Sequence, residues 1–216
     1  MPPRALEPAG VALVDKPAGP SSFAIVAQIR RVTGARTGHA GTLDPFATGL
    51  LLILSGRATR LQPSLVGLDK RYVTEIDLTA TTTTGDPEGD VLEQHDVPDE
   101  LALDALRGQV ELPVPAASAV KIDGERAYKL HRRGVEVEMP LRRSVVHALD
   151  VVDRDEGTVT LDLRVSSGTY VRAIAGALGG HCVTLRRTEV GPFSIEDAHA
   201  PDEFVLLSED EVLAAL

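Results

Sequence analysis

The hydrophobic pattern of the first eighty residues predicts two strands, one helix and one long loop. Residues 10–15 form an apolar run that is typical of a buried strand, and residues 72–78 alternate as a half-buried strand does. Between them, apolar residues recur at helical spacing from Ser22, a typical N-cap residue, to Gly34, a typical helix stop. The segment 39–48 contains too much glycine, proline, aspartate and threonine for a regular element, so we expect a loop there.

The rest of the chain alternates between short strand patterns and short helix patterns. The predicted strands lie at 119–122, 143–152, 158–165 and 182–190, and the predicted helices at 126–133, 170–178 and 209–216. A Glu-Gly turn joins the second and third of these strands, which predicts an antiparallel pair. Strands that pair locally, with helices between them, indicate a mixed α+β fold with a mostly antiparallel sheet flanked by helices. The 216 residues show no repeat and no linker, so we expect a single domain over 1–216.

The net charge of −10 argues against a protein that coats nucleic acid by bulk charge, but the charge is uneven. Thirteen carboxylates lie in segments 86–104 and 201–216, which contain no Lys or Arg, and 19 acidic residues face 22 basic ones in the remainder. Two interpretations stay open: a solvated surface with acidic loops, or a basic RNA-binding face with the acidic segments elsewhere. The second predicts that both segments lie away from the functional cleft.

Composition excludes several kinds of site. The single cysteine, Cys182, excludes an internal disulfide and a cysteine-rich zinc site, and the six histidines lack metal-ligand spacing, so we predict no metal. No apolar run approaches the length of a membrane helix, and the N-terminus lacks the apolar core of a signal peptide. The expectation is a cytoplasmic protein without membrane association.

The segment GHAGTLDPFATGLL at 38–51 is the strongest candidate for a chemical site. Asp44 precedes Pro45, which restricts the aspartate backbone, and three glycines in the segment permit tight turns. Such a loop could hold one carboxylate rigidly at a cleft, with His39 five residues earlier. The alternative is an Asp-Pro turn that caps a helix, which is the commoner use of this pair.

This segment resembles the catalytic loop of the TruB-type pseudouridine synthases, G-H-x-G-x-L-D-P-x-A-T-G-[LVM]-L. Further blocks resemble motifs of that family and follow in its order: VDKPAGPSS at 14–22, KRY at 70–72, PAASAVKIDGERAY at 115–128, SGTYVR at 167–172, and LRRT at 185–188 with GPF at 191–193. The chain is therefore identified as a member of this family. The resemblance implies the pseudouridine synthase fold.

The resemblance also implies a reaction, the isomerisation of uridine to pseudouridine at position 55 in the T arm of tRNA. The N1 glycosidic bond breaks, the base rotates, and C5 bonds to the ribose C1′, so no cofactor is implied because nothing is oxidised or added. The uridine must be flipped out of the stacked arm. Asp44 matches the catalytic aspartate, either as a nucleophile or as the group that removes a sugar proton. We expect a monomer that acts on the T stem-loop and requires no protein partner.

Other site residues are implied by the same motifs. Tyr72 would stack on the flipped base. Tyr170 and Arg172, two residues apart at what is interpreted as a strand end, would share a face. Arg172 would pair with Asp44 and keep it ionised. Leu185 would form an apolar wall under the base.

The expected RNA contacts are mainly to phosphates, which position a substrate without reading its sequence. His39 would fill the space that the base leaves or contact the RNA loop, with a general-base role as the weaker option. The phosphate candidates are Arg60, Lys121, Arg36 and the pair Arg132-Arg133, of which the pair could equally be solvated helix ends.

The chain departs from the family pattern at three places. Thr83 stands where the family has the first acid of a T-D-T-x-D-x-x-G stretch, while Asp86 and Gly89 are kept. The connection at 179–181 is several residues shorter than usual, and the C-terminal PUA domain is expected to be absent or minimal. The alternatives to a T-arm synthase are a synthase for another RNA, an RNA-folding module, and an Asp-dependent nucleosidase.

Overall fold

Strands dominate the computed structural model, which describes residues 8–216. The strands are β1 Gly10–Lys16, β2 Thr37–His39, β3 Thr48–Ser55, β4 Lys70–Asp77, β5 Ala80–Thr82, β6 Val91–Gln94, β7 Gly108–Pro113, β8 Lys121–Ile122, β9 Glu125–Arg126, β10 Leu141–Arg154, β11 Thr158–Val165, β12 His181–Val190 and β13 Phe193–Ser194. The helices are α1 Ser22–Thr33, α2 Gln62–Gly67, α3 Ala127–Arg132, α4 Val171–Ala177 and α5 Glu209–Ala215, with 3₁₀ turns at Gly56–Leu61, Asp104–Leu106 and Ile195–Asp197. Their contacts define two units, the first formed by residues up to 72 together with 186–216 and the second by 73–185.

The first unit is organised around β3. Strand β1 pairs with it antiparallel over its whole length, and β2 pairs with it antiparallel. Arg186 and Arg187 of β12 pair in parallel with its first two residues. All the side chains of Leu50 to Leu54 are buried, as expected for a strand that is covered on both faces. The other edge of β1 is covered by the C-terminal stretch, through bridges from Val11 to Leu207 and from Val14 to His199.

Helix α1 confirms the prediction in extent but corrects it in two details. Its N-cap is Ser21, whose hydroxyl accepts from the Ala24 N–H, and it ends at Gly34 with a left-handed φ of 64°. Ser22 is instead a buried first helical residue. Val32 follows the helical spacing but is 72% exposed, because the buried stripe ends one turn earlier at Ile29.

The second unit contains strands in the order β12-β4-β11-β10-β7. The pairs β10–β11 and β10–β7 are antiparallel, as the turn around residue 156 predicts for the first of them. Strand β11 buries every second residue: Val159, Leu161, Leu163 and Val165. The predicted fold class, α+β with a mostly antiparallel sheet, is confirmed, and β3 and β12 form a parallel pair within it.

One short segment differs from its prediction, and a second agrees with its prediction within one residue. Residues 119–126 form a small hairpin of β8 and β9 around Asp123 and Gly124, which both have positive φ, before α3 begins at Ala127. Helix α4 begins after Tyr170 and is followed by β12 with only three residues between the two elements. Within residues 8–216, no helix has the length and apolar composition needed to cross a membrane.

Candidate active site

The loop with Asp44 connects β2 directly to β3. Asp44 itself is half-buried, and its carbonyl oxygen accepts from the Ala47 N–H at 3.2 Å. The next residue, Pro45, accepts at its carbonyl from the Gly19 N–H at 2.8 Å, which ties the loop to the segment before α1. The alternative that this Asp-Pro pair caps a helix is wrong, because the loop leads into a strand.

A buried lysine holds the second half of the loop. Lys16 is fully buried, and its Nζ donates to the carbonyls of Ala47 at 2.7 Å, Pro17 at 2.8 Å and Pro45 at 3.2 Å. An ammonium group has three donors, and charge-assisted hydrogen bonds are stronger than neutral ones. Lys16 therefore fixes Pro45 and Ala47, which follow Asp44 in the loop, to the end of β1.

A buried arginine holds the first half of the loop and the start of β3. Arg187 is 1% exposed. Its Nε donates to the Leu50 carbonyl at 2.7 Å, its Nη2 to Gly41 at 3.0 Å and its Nη1 to Thr42 at 3.5 Å. The planar guanidinium suits several carbonyls in one plane, which an ammonium could not bind in the same way.

A serine from α1 fixes the residue directly before Asp44. The Ser22 hydroxyl donates to the Leu43 carbonyl and accepts from the Leu43 N–H, both at 2.8 Å. A hydroxyl can do both at once because it has one donor and two acceptor lone pairs. Lys16, Ser22 and Arg187 therefore hold the backbone on both sides of the carboxylate, and we call these three residues the loop clamp.

The loop clamp was not predicted as such. All three residues lie in the quoted motif blocks, at 14–22 and 185–188, but a sequence motif does not reveal that its charged residue is buried against carbonyls. The signal that could have indicated this is the surroundings of Lys16, a charge that directly follows the apolar run of β1.

Two titratable groups of the first unit have lowered pKa values. Burial, and then the positive charge of Arg187, lowers the pKa of Lys70 to about 8, with Asp69 opposing the shift. The Lys70 Nζ donates to the carbonyls of Val66, at 2.6 Å, and Leu68. Burial and Arg187 also lower the pKa of His39 below its ordinary value.

Burial and Arg187 thus favour the neutral form of the His39 ring. Its backbone carbonyl accepts from Gln62 Nε2 at 2.9 Å, whereas its Nδ1 is buried without a hydrogen-bond partner among the residues that the structure describes. The role of His39 beside the base or the RNA loop stays a prediction.

Tyr72 lies on the buried face of β4. Tyr72 is 8% exposed and shares this face with Lys70, two residues earlier. Arg71 points to the other face and pairs with Glu189 at 3.0 Å. The first unit therefore contains both the Asp44 loop and a buried aromatic ring.

In the second unit, Arg172 belongs to a buried polar cluster. It is 4% exposed and donates to the carbonyls of Thr84 at 2.6 Å and Ala117 at 2.9 Å, and its Nη1 lies 3.3 Å from Asp86 Oδ2. Asp86 is 4% exposed and also accepts from Thr84 Oγ1 at 2.6 Å and from the Glu88 N–H at 3.1 Å. Asp86 is therefore a buried partner of Arg172 and not a solvated charge of the acidic segment.

Tyr170 and Arg172 do not share the face of a strand, so that interpretation is wrong. Tyr170 is the N-cap residue of α4 and Arg172 is the second residue of its first turn. Residues two apart in a helix point in nearly opposite directions. Tyr170 is half-buried, whereas Arg172 faces the interior of the unit.

The eight predicted site residues divide between the units. The first unit contains His39, Asp44, Arg60 and Tyr72, and the second contains Lys121, Tyr170, Arg172 and Leu185. Leu185 is a 6% exposed residue of β12, and Lys121 is an exposed residue of the β8–β9 hairpin.

Of the other basic candidates, Arg132 and Arg133 contact protein side chains. Arg132 lies over the ring of Tyr128, at 5.6 Å from its centroid, and Arg133 pairs with Glu125 at 2.7 Å. Arg36 is exposed. Among residues 8–216, no group of three or more His, Cys, Asp or Glu side chains could hold a metal ion.

Known proteins resemble this chain in sequence and in fold. The family model described as TruB family pseudouridylate synthase, N-terminal domain, matches residues 30–171. A protein named tRNA pseudouridine synthase B from Mycobacterium sp. (strain KMS) is 45% identical over 210 residues, covering 89% of this chain and 71% of the relative. A protein of the same name from Thermobifida fusca (strain YX) is 44% identical over 231 residues, covering 95% and 79%.

Solved structures show the same similarity. A chain from a crystal structure of a Cbf5-Nop10-Gar1 complex superposes with a TM-score of 0.65 at 29% identity, covering 86% of this chain and 50% of that one. A chain from an archaeal box H/ACA sRNP Nop10-Cbf5 complex gives a TM-score of 0.64 at 26% identity, covering 90% and 52%. This chain spans about half the length of these solved chains.

Proposed function

The chain belongs to the TruB family of pseudouridylate synthases, and from this we propose that it converts uridine to pseudouridine in the T arm of tRNA. The name tRNA pseudouridine synthase B, carried by relatives that are about 45% identical over most of this chain, supports tRNA as the substrate. The observation that carries the proposal is the Asp44 loop, which matches the family's catalytic loop and is held by the loop clamp on both sides of the carboxylate.

Asp44 is the catalytic residue of this proposal. Its carboxylate either attacks C1′ or removes a sugar proton, and the N1–C1′ bond breaks. The detached base then rotates and C5 bonds to C1′. In the first route this displaces the Asp44 carboxylate from C1′, and in the second the proton returns to the sugar. C5 then loses its proton and N1 gains one. Both routes need a carboxylate that is held in a fixed position, because misplacement by about 1 Å can reduce a rate about a hundredfold.

The family resemblance assigns further residues to the reaction. Tyr72 stacks on the flipped base, and Leu185 forms an apolar wall for it. Arg172 is assigned to keep Asp44 ionised. Its burial with Asp86 supports a positioned rather than a mobile guanidinium. Tyr170 is assigned to substrate binding because it is half-buried at the start of the helix that carries Arg172.

The proposed RNA contacts are phosphate contacts from Lys121, Arg60, Arg36 and the pair Arg132-Arg133. The exposed β8–β9 hairpin supports Lys121 in this role, since it presents a cation away from the core. We further propose that the protein acts in the cytoplasm, as a monomer and without a protein partner. The assemblies with Nop10 and Gar1 are properties of the solved relatives.

The test is to incubate the protein with an unmodified tRNA transcript and to map pseudouridine chemically. Pseudouridine in the T loop is expected from the wild type and none above background from D44N. The exposed carboxylate Asp150 supplies the matched control D150N, which should react as the wild type does. Product at another position would favour a synthase with another RNA target, free uracil would indicate a nucleosidase, and binding without any product would indicate an RNA-folding module.

A further inference from the structure

Two exposed arginines of the first unit share one buried carboxylate. Arg57 and Arg60 lie on the 3₁₀ turn Gly56–Leu61, and Glu209 is the first residue of α5. Arg57 Nε lies 2.7 Å from Glu209 Oε1, and Arg60 Nη2 pairs with the other oxygen, Oε2. The arginine side chains are 75% and 68% exposed, whereas the glutamate is 6% exposed.

Stability alone does not explain this arrangement, which we call the Arg57–Glu209–Arg60 cluster. One carboxylate neutralises only one of the two guanidiniums, so the cluster keeps a charge of +1. Burying a carboxylate is unfavourable, and exposed ion pairs contribute little to stability. What the arrangement does achieve is to hold two guanidiniums on one carboxylate. Arg60 is hydrogen-bonded to Oε2, Arg57 lies at ion-pair distance from Oε1, and most of each arginine side chain faces solvent. Two such groups match the oxygens of a phosphodiester.

The position of the cluster relates it to the Asp44 loop within the same unit. The 3₁₀ turn continues into α2, whose first residue, Gln62, donates from Nε2 to the His39 carbonyl at 2.9 Å. At the other end of the turn, the Gly56 N–H donates to the Arg36 carbonyl at 2.8 Å. The cluster therefore lies between Arg36 and the residue at which the catalytic loop begins.

We infer that the Arg57–Glu209–Arg60 cluster binds a backbone phosphate of the RNA strand that leads to the flipped uridine. This inference rests on the proposed function and deepens it. It gives Glu209 the role of a positioning residue and adds Arg57 to the RNA contacts. One of the thirteen segment carboxylates thereby supports RNA binding, because it fixes the two groups that contact the phosphate.

The experiment measures the binding of a labelled T-arm hairpin RNA by anisotropy between about 50 and 200 mM salt. Removing both arginines alone would leave Glu209 buried and unpaired, so the test variant is R57Q/R60Q/E209Q. Its reference is E209Q, which shares the neutral residue 209 and keeps both guanidiniums. The matched control is R107Q, because Arg107 also pairs with a carboxylate, Asp104, but lies in the acidic part of the second unit.

Relative to E209Q, the triple variant is expected to bind the hairpin about tenfold more weakly. The slope of log K against log salt should fall by about 1, since each lost phosphate contact reduces it by about 0.7–0.9. In pseudouridine formation the loss should appear in KM and not in kcat. R107Q should match the wild type in all three measurements.

Equal affinity and equal salt slopes for E209Q and the folded triple variant would overturn the inference and would indicate a purely structural cluster. A change in thermal unfolding alone leads to the same conclusion. The proposed function fails separately, if the wild type forms no pseudouridine in tRNA.

Discussion

Adjacent serines at the start of α1 have different tasks. Ser21 accepts from the Ala24 N–H at 3.2 Å and so acts on the helix, while Ser22 is buried and bonds to both backbone groups of Leu43. Only the second contact bears on Asp44, which follows Leu43 in the chain. The pair therefore separates the stability of the helix from the position of the carboxylate.

We predict that S22A lowers kcat for pseudouridine formation about tenfold to a hundredfold, because the residue before Asp44 loses its anchor. Its unfolding free energy should fall by about 1–3 kcal/mol, since two buried backbone groups lose their partner. S21A, the matched control, should lose about 1 kcal/mol as a lost N-cap does and keep its kcat. Single-turnover kinetics and urea unfolding measure both quantities, and equal kcat values for the two variants would contradict the prediction.

Lys70 makes stability depend on pH in the alkaline range. Its pKa is about 8 in the folded protein, below the ordinary 10.5, so between these values the unfolded chain binds more protons than the folded one. The unfolding free energy therefore contains a term that rises as the pH rises through this window and that is absent below it.

The variant K70M removes this term. We expect the wild type to gain stability over K70M by about 1 kcal/mol per pH unit between about pH 8.5 and 9.5. Urea unfolding at both pH values measures the gap, and K129M, which lacks an exposed lysine instead, is the control. A gap between wild type and K70M that does not change with pH would show that folding does not lower the pKa of Lys70.

At the scale of elements, the parallel pair of β3 and β12 determines where the catalytic loop ends. Gly49 lies opposite Arg187 in this pair, with a φ of 101°, and a Cβ added there would lie 2.2 Å from the Arg187 carbonyl oxygen. Neither the left-handed backbone nor the contact tolerates a side chain. At the other end of the loop, Gly38 has open space around the same position.

We predict that G49A lowers the unfolding free energy by about 3 kcal/mol or more, because a strained backbone and a clash with another strand act together. G38A should change it by less than about 1 kcal/mol. Chemical denaturation of the two variants measures the difference. Equal unfolding free energies for G49A and G38A would mean that β3 and β12 can separate locally with little loss of stability. The end of the loop would then not be fixed by their pairing.

The elements that the sequence predicts well are those whose pattern is local. Strand β1 reads as an apolar run, β11 as an alternation, and α5 as a capped helix, and each was expected within a few residues. What the pattern does not reveal is which distant groups meet. The burial of Asp86 depends on Arg172, which lies far along the chain, and Val32 is exposed although it continues the helical spacing of the buried residues.

The same reason explains what was predicted of the site. Asp44 was identified because its whole loop is one contiguous motif, whose glycines and proline express the local backbone. The loop clamp was not identified, because Arg187 is 137 to 146 residues away from the carbonyls that it binds. Contacts between residues so far apart in the chain cannot be predicted from local sequence patterns, and only the folded structure shows them.

At the scale of the whole molecule, the net charge of −10 includes both exposed carboxylates and buried carboxylates that pair with arginines. Two of the thirteen carboxylates in the acidic segments are buried partners of arginines, Asp86 with Arg172 and Glu209 with Arg57 and Arg60. The expectation that both segments are merely solvated is therefore wrong for these two residues. For the exposed remainder, the expectation that they lie away from the functional cleft stays a prediction.

That prediction can be tested on four exposed carboxylates of the first segment. The variant E93Q/D96N/D99N/E100Q changes the net charge from −10 to −6. Exposed charges are screened beyond about 10 Å at 0.1 M salt, so carboxylates outside the RNA path should hardly act on it. We expect the KM for tRNA to change by less than about twofold.

A second variant, which loses four positive charges instead of four negative ones, serves as the comparison. Replacing Lys121, Arg126, Lys129 and Arg132 with glutamine removes four cations from the β8–β9 hairpin and α3. If these groups contact phosphates, the KM should rise and the salt dependence of binding should flatten, because fewer counterions are released. If the variant E93Q/D96N/D99N/E100Q binds tRNA much more tightly than the wild type, with a steeper salt slope, the acidic segment borders the RNA. The net charge would then oppose binding directly, and the division of the chain into a basic body and separate acidic segments would have to be abandoned.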